Sequence, residues 1–156
     1  MNGAGEGKRA RARKLAAEAL HAAIREDWPA ASKAMTAISA ETGGEGACLA
    51  LVAWCDTLII AQRRVMGLPD EPQDGEVARP AWLDGDTGHA SLNADDAPPA
   101  ARWAGQLVAA RAALDLEAFN ALLAALPADG KARGDYAGAL LQACAMTARA
   151  TTGGAS

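Results

Sequence analysis

The chain has 156 residues and a formal net charge of −4, and this length fits one domain or two small halves that share a core. Apolar residues make up 51% of the chain, with alanine a large share of them, and only 4% are aromatic, so the composition favours helices over strands. The isoelectric point near 5.1 and the scarcity of aromatic residues argue against a typical nucleic-acid-binding module.

The first half of the chain is predicted to contain three helices within residues 8–66. Residues 1–7 are rich in glycine and are predicted to be disordered. Asp27 is the predicted N-cap of the second helix, because a proline follows it in the first turn. The glycines within residues 43–46 are expected to form the loop before the third helix, and Gly67 is expected to end that helix.

Residues 67–99 form a proline-rich connector that carries eight acidic side chains and one basic side chain. A connector of this length inside a compact domain is either functional or disordered. Trp82 is its only aromatic residue. Two interpretations of Trp82 stay open, namely packing against the helical body and docking of a partner.

Residues 100–150 are expected to form a second unit of three helices, followed by a frayed tail over residues 151–156. Asp115 is the predicted cap residue of its second helix, as Asp27 is in the first unit.

A repeated pattern relates the two units. The spacing Ala22-x4-Asp27 returns 88 residues later as Ala110-x4-Asp115. Two apolar stripes with the helical step of three or four residues also recur. The first, Ala31, Ala34, Met35 and Ile38, returns as Phe119, Leu122, Leu123 and Leu126; the second, Cys48, Val52, Cys55 and Ile59, returns as Ala137, Leu141, Cys144 and Ala148. The sequence therefore predicts an all-α fold of about six helices, as two pseudo-repeated three-helix units in a helical-repeat-like array or a bundle.

The segment Glu26–Ala31, with Met35 and Ile38 after it, resembles the turn and second helix of a tetratricopeptide repeat. Ala19 and Ala31 match the two small positions of that motif. The second unit departs from it, with Leu107 and Phe119 at those positions, and the repeat spacing exceeds the roughly 34 residues of the family. The resemblance implies a helical scaffold that binds other proteins. The whole chain is also similar to small helical proteins of high-GC bacteria.

No catalytic, cofactor or metal site is expected. The two histidines, His21 and His89, have no partner pattern typical of catalysis. Cys48 and Cys55 are seven residues apart on a predicted helix, whereas zinc prefers cysteines separated by about two to four residues. Together with Cys144 they are predicted to be reduced, buried thiols of a cytoplasmic protein. The longest apolar run is too short to cross a bilayer comfortably, so no membrane span is expected.

A basic run opens the first predicted helix. Its positive charges would be unfavourable at a helix N-terminus, so local stability does not explain them. They are candidates for contact with nucleic acid, with an acidic partner or with the acidic connector, and the alternative is a solvated helix start. The run comprises Lys8, Arg9, Arg11, Arg13 and Lys14.

Asp56 interrupts the apolar stretch of the third predicted helix. A buried carboxylate must be paired or neutral. We expect either that this edge of the helix faces water or that Arg63 or Arg64 pairs with Asp56. The other interpretation is a polar spot at a partner interface.

These patterns lead to a non-enzymatic protein–protein interaction or adaptor protein of a bacterial cytoplasm. An accessory nucleic-acid-associated protein that uses residues 8–14 is the alternative. A helical protein that binds a small ligand between its two units is the third hypothesis.

Overall fold

The computed structural model describes residues 3–65, 67, 82–83, 90–91 and 98–153. Within these residues the chain forms five helices, and the two-residue strands β1 and β2 pair antiparallel with Trp82 opposite Ser91. The predicted all-α class is confirmed. The elements in order are α1 Gly3–Ile24, α2 Trp28–Val65, β1 Trp82–Leu83, β2 Ala90–Ser91, α3 Pro99–Ala112, α4 Leu116–Ala124 and α5 Gly130–Gly153.

The helix ends differ from the expected ones. Helix α1 begins at Gly3, inside the segment 1–7 that was expected to be disordered, and Glu6 in its first turn is favourable for the helix dipole. Helix α5 runs to Gly153, into the segment 151–156 that was expected to fray. The chain divides into two compact units, Met1–Trp54 and Cys55–Ser156, so the boundary lies within α2.

Helix α1 buries a face of mostly small residues in the first unit. The buried positions recur every three or four residues, as expected for one side of a helix. Because most of them are alanines, a neighbouring helix can pack close to the α1 backbone. The buried α1 residues are Ala12, Leu15, Ala16, Ala19, Ala22 and Ala23.

A kink at Gly43 reverses the direction of α2 relative to α1. Gly43 has φ 69° and ψ −164°, a backbone conformation that glycine adopts readily. Beyond the kink, Gly46 lies beside Ala12, and the Trp54 indole donates a hydrogen bond of 3.1 Å to the Ala16 carbonyl. This part of α2 therefore runs parallel to α1, whereas the part before the kink folds back from the preceding turn.

The predicted loop over residues 43–46 is thus wrong, because only Gly43 leaves the helical conformation. The helix continues on both sides of it, and the Thr42 hydroxyl donates a hydrogen bond of 2.5 Å to the Ile38 carbonyl. The second and third predicted helices are therefore two helical parts of α2 that meet directly at Gly43, and α2 counts as one of the five helices of the described residues.

The turn between α1 and α2 is a Schellman motif followed at once by a helix cap. Glu26 has φ 61°. Its N–H donates to the Ala23 carbonyl at 2.9 Å, and the Asp27 N–H donates to the Ala22 carbonyl at 2.8 Å. The Asp27 carboxylate accepts a hydrogen bond of 3.2 Å from the Ala30 N–H, which confirms Asp27 as a cap.

The turn between α3 and α4 has the same construction. Leu114 has φ 56°, and the Asp115 N–H donates to the Ala110 carbonyl at 2.9 Å. The Asp115 carboxylate accepts a hydrogen bond of 3.0 Å from the Ala118 N–H, so the predicted cap is confirmed here too. In the same way, Asp129 accepts from the Ala132 N–H at the start of α5.

The core of the second unit forms where α3 packs against α4 and α5. The Trp103 indole donates a hydrogen bond of 2.9 Å to the Leu122 carbonyl of α4. The Trp103 and Tyr136 rings lie 5.7 Å apart, tilted by 53°, which is a favourable geometry for two aromatic rings. Leu140 and Leu141 of α5 are fully buried in this core.

Candidate interaction surface

A groove lies between α1 and the first part of α2, and we call it the α1–α2 groove. Its volume is about 500 Å³, and it is open to solvent. Leu15, Ala22 and Ala34 are buried and form its floor. The charged and polar residues that line it are Arg11, Glu18, His21, Arg25, Lys33 and Glu41.

One end of the groove carries an ion pair. The Arg11 guanidinium donates to both Glu41 carboxylate oxygens, at 3.0 and 3.3 Å. This hydrogen bonding holds the pKa of Glu41 below its ordinary value and raises that of Arg11. The pair leaves little net charge at this end.

The other end, near the turn, carries the positive charges of Arg25 and Lys33. His21, Arg25 and Lys33 are exposed and line the groove there. Within the part of the chain that the structure describes, neither Arg25 nor Lys33 forms an ion pair. Both side chains are therefore available for a bound anionic group.

The second unit has different residues at the positions 88 residues further on. Leu15 and Ala34 correspond to Trp103 and Leu122. The Trp103 indole is 5% exposed and reaches α4, where it donates to the Leu122 carbonyl. A large aromatic side chain thus packs at the place where the first unit has the smaller side chains of Leu15 and Ala34.

The three residues at this end of the groove are also confined to the first unit. The positions that correspond to His21, Arg25 and Lys33 are all alanines in the second unit, namely Ala109, Ala113 and Ala121. The two units share the helical hairpin and its capped turn, but the second unit has no charged side chain at these three positions.

Ion pairs reduce the charge of the basic run. Arg9 donates to Glu45 at 2.9 Å, and Arg11 pairs with Glu41 as described. Lys8, Arg13 and Lys14 are exposed. Because α1 begins at Gly3, the run lies beyond the first helical turn, where the helix dipole has little effect. The expectation that the helix dipole disfavours these positive charges is therefore wrong.

Asp56 pairs with Arg111 of α3. The expected pairing of Asp56 with Arg63 or Arg64 is therefore wrong. The Arg111 guanidinium donates to both carboxylate oxygens, at 2.8 and 3.2 Å. The side chains of Arg111 and Asp56 are 38% and 46% exposed, so this edge of α2 faces water, as one interpretation expected. The hydrogen bond raises the pKa of Arg111.

Trp82 lies in β1, which contacts α3. The segments of the connector on either side of β1 and β2 lie outside the described residues. Packing against the body and partner docking both stay predictions for Trp82.

The buried cysteines have strongly raised pKa values. Burial raises the pKa of Cys55 to about 12, and the adjacent Asp56 raises it further. Burial also raises the pKa of Cys144, as does its proximity to Cys55. A thiol with such a pKa is not a nucleophile at neutral pH. Among the residues that the structure describes, no group of three or more His, Cys, Asp or Glu side chains is arranged to hold a metal ion.

Helix α2 contains a stretch that is long and apolar enough to cross a membrane, by length and composition only. The mean hydropathy of its 18-residue window is 1.5, and 39% of that window is buried within the structure. Core helices of soluble proteins and signal sequences meet the same criterion, so this property has little weight on its own.

Comparison of the chain with protein-family models, with curated proteins and with solved structures finds no match. The function is therefore inferred from the chain's own residues. Residues that the two units share are candidates for a role in folding, and residues that differ are candidates for a role in function.

Proposed function

We propose that the chain is a non-enzymatic adaptor of a bacterial cytoplasm that binds a protein partner in the α1–α2 groove. One observation supports this most: the groove is open and charged in the first unit, while Trp103 packs at the corresponding place in the second. The second unit forms the same hairpin with Trp103 filling this place, so the hairpin does not need an open groove in order to fold. We therefore infer that the open groove of the first unit serves binding.

We also infer that residues 8–66 and residues 100–150 arose by duplication of one three-helix unit. The matching Schellman turns at Glu26 and Leu114, with the caps Asp27 and Asp115 behind them, support this inference. Fully buried Cys55 and Cys144 occupy corresponding positions as well. Features that the units do not share, above all the groove cations, are then candidates for function. The proposal agrees with the protein binding that the tetratricopeptide-like hairpin implies.

The alternative function, association with nucleic acid through residues 8–14, has less support. Two of the five basic side chains, Arg9 and Arg11, are held by Glu45 and Glu41. Three exposed cations on a chain of net charge −4 give few phosphate contacts, and phosphate contacts dominate the affinity of such proteins.

The third hypothesis, binding of a small ligand between the two units, stays a prediction. The α1–α2 groove lies within the first unit and is open to solvent, whereas small-molecule sites bury most of the ligand surface, so this groove favours a protein segment over a small ligand.

Site-specific crosslinking in the native host tests the proposal. A photoreactive lysine analogue replaces Lys33, which lines the groove, and in a matched control it replaces Lys14, which is exposed on α1 outside the groove. We expect discrete protein adducts from position 33 that position 14 does not give. Equal adducts from both positions would contradict the proposal, and nucleic-acid adducts from position 14 alone would favour the alternative.

A further inference from the structure

The charges along the α1–α2 groove identify the chemistry of its occupant. We propose, resting on the proposed function, that the groove binds an acidic segment of a partner protein, with the carboxylates of that segment at Arg25 and Lys33. Both cations line the groove, both are exposed, and neither forms an ion pair among the described residues.

The fold does not need these cations. The second unit builds the same hairpin and the same capped turn with Ala113 and Ala121 at the corresponding positions. Alanine has the highest helix propensity, so Lys33 brings no propensity advantage to α2, and Arg25 lies in the turn after α1, outside both helices. Neither charge is paired among the residues that the structure describes, and a ligand of opposite charge would complement both.

The shape and charge of the groove favour a peptide over a polyanion. Small residues, Ala22, Ala34 and Ala37, follow the groove between the two helices and leave room for side chains of an elongated segment. Glu18 and Glu41 line the same groove. They would repel a continuous phosphate backbone, whereas a peptide can place its carboxylates only at the cationic end.

An NMR titration of the isotope-labelled full chain tests the inference. The probes are two end-blocked helical peptides of alanine and leucine that differ only in carrying glutamate or lysine at matched positions. We expect the glutamate peptide to shift the amide signals of Ala22, Ala34 and Ala37, with a dissociation constant of about 1 mM. The lysine peptide should leave these signals in place.

Two matched variants separate the groove from net charge. R25A/K33A copies the second unit, and R13A/K14A removes the same charge from exposed positions of α1 outside the groove. We expect roughly fivefold weaker binding in R25A/K33A, from the loss of two exposed charge pairs, and unchanged binding in R13A/K14A. All four side chains are exposed, and circular dichroism checks that both variants fold.

The outcomes distinguish this inference from the proposed function. If both peptides shift the groove signals equally, the acidic class is overturned while protein binding in the groove stands. If neither peptide shifts them, or if both variants weaken binding equally, the inference is overturned. If inorganic phosphate at matched charge displaces the peptide and gives the same shifts, a free anion suffices and the peptide assignment is overturned.

Discussion

Glu26 and Leu114 lie 88 residues apart in the sequence and adopt the same left-handed backbone conformation, with φ values of 61° and 56°. Each stands at the end of a helix and immediately before the aspartate that caps the next one. Non-glycine residues are uncommon in this region. The agreement of two such turns is difficult to explain by alanine-rich composition alone, and it supports the inferred duplication.

Glycine at either turn should stabilise the protein. The left-handed conformation costs a residue with a side chain about 1–2 kcal/mol, and the greater flexibility of glycine in the unfolded chain offsets part of the gain. Leu114 is 80% exposed, so its removal loses little burial. We expect L114G and E26G each to raise the free energy of unfolding by about 0.5–1 kcal/mol. Chemical denaturation measures this.

The matched control for these variants is A121G. Ala121 is exposed in the interior of α4 and has an ordinary helical environment. Glycine there should lower stability by roughly 1 kcal/mol. Destabilisation by L114G to the same extent as by A121G would contradict the strained turn.

The Gly43 kink depends on a second glycine, Gly46. A Cβ at Gly46 would overlap the Thr42 side chain and would lie 3.3 Å from the Ala12 Cβ. G46A should therefore lower the free energy of unfolding by about 1–3 kcal/mol, as overpacking does. Gly44 has nothing within 4 Å of the corresponding position, so G44A should be neutral or stabilising by up to about 1 kcal/mol. Equal effects in thermal unfolding would refute this account of the kink.

The local features of the fold were predictable from the sequence. Asp27 and Asp115 are predictable as caps because each aspartate stands between two helical patterns. The hydrogen bond that each carboxylate accepts comes from an N–H only three residues further along the chain. The glycines of residues 43–46 indicate a break in the helical pattern but not its length, so the sequence predicts a loop where the structure has a kink at Gly43. A single residue with positive φ suffices.

The contacts between distant residues were not predictable in the same way. Asp56 and Arg111 are brought together by the packing of α2 and α3, and no local spacing signals their pairing. The α1–α2 groove likewise depends on residues of two helices. The comparison of Arg25 and Lys33 with the alanines at the corresponding positions was a signal already present in the sequence, and it would have identified the cationic end.

The Asp56–Arg111 pair should contribute little to stability. Both side chains are more than a third exposed, and such ion pairs are worth about 0–1 kcal/mol. The positions that correspond to them in the repeated pattern, Ala145 and Ala23, are buried alanines. We expect a double-mutant cycle of D56A and R111A to give a coupling energy below about 1 kcal/mol. A coupling of several kcal/mol would mean that the pair is a structural requirement.

Reactivity of the three thiols should follow burial. Cys55 and Cys144 are buried, whereas Cys48 is partly exposed. With a pKa of about 12, only about one Cys55 thiol in ten thousand is ionised at pH 8. We expect iodoacetamide to modify Cys48 first in the native protein, and all three cysteines in denaturant, by mass spectrometry. Rapid native modification of Cys55 would show that the core of the second unit opens readily.

The same buried thiol predicts a loss of stability at alkaline pH. The folded-state pKa of Cys55, about 12, lies above the value of about 8.5 in an unfolded chain. Stability from this group is therefore complete below pH 8.5 and is lost as pH rises toward 12, by about 1 kcal/mol per pH unit. C55A should be less stable at pH 7 because it leaves a small cavity, yet its stability should fall less steeply between pH 9 and pH 11 than that of the unmodified chain. Denaturant titrations at each pH measure the free energy of unfolding. If it fell with the same slope in C55A and in the unmodified chain, Cys55 would not be responsible.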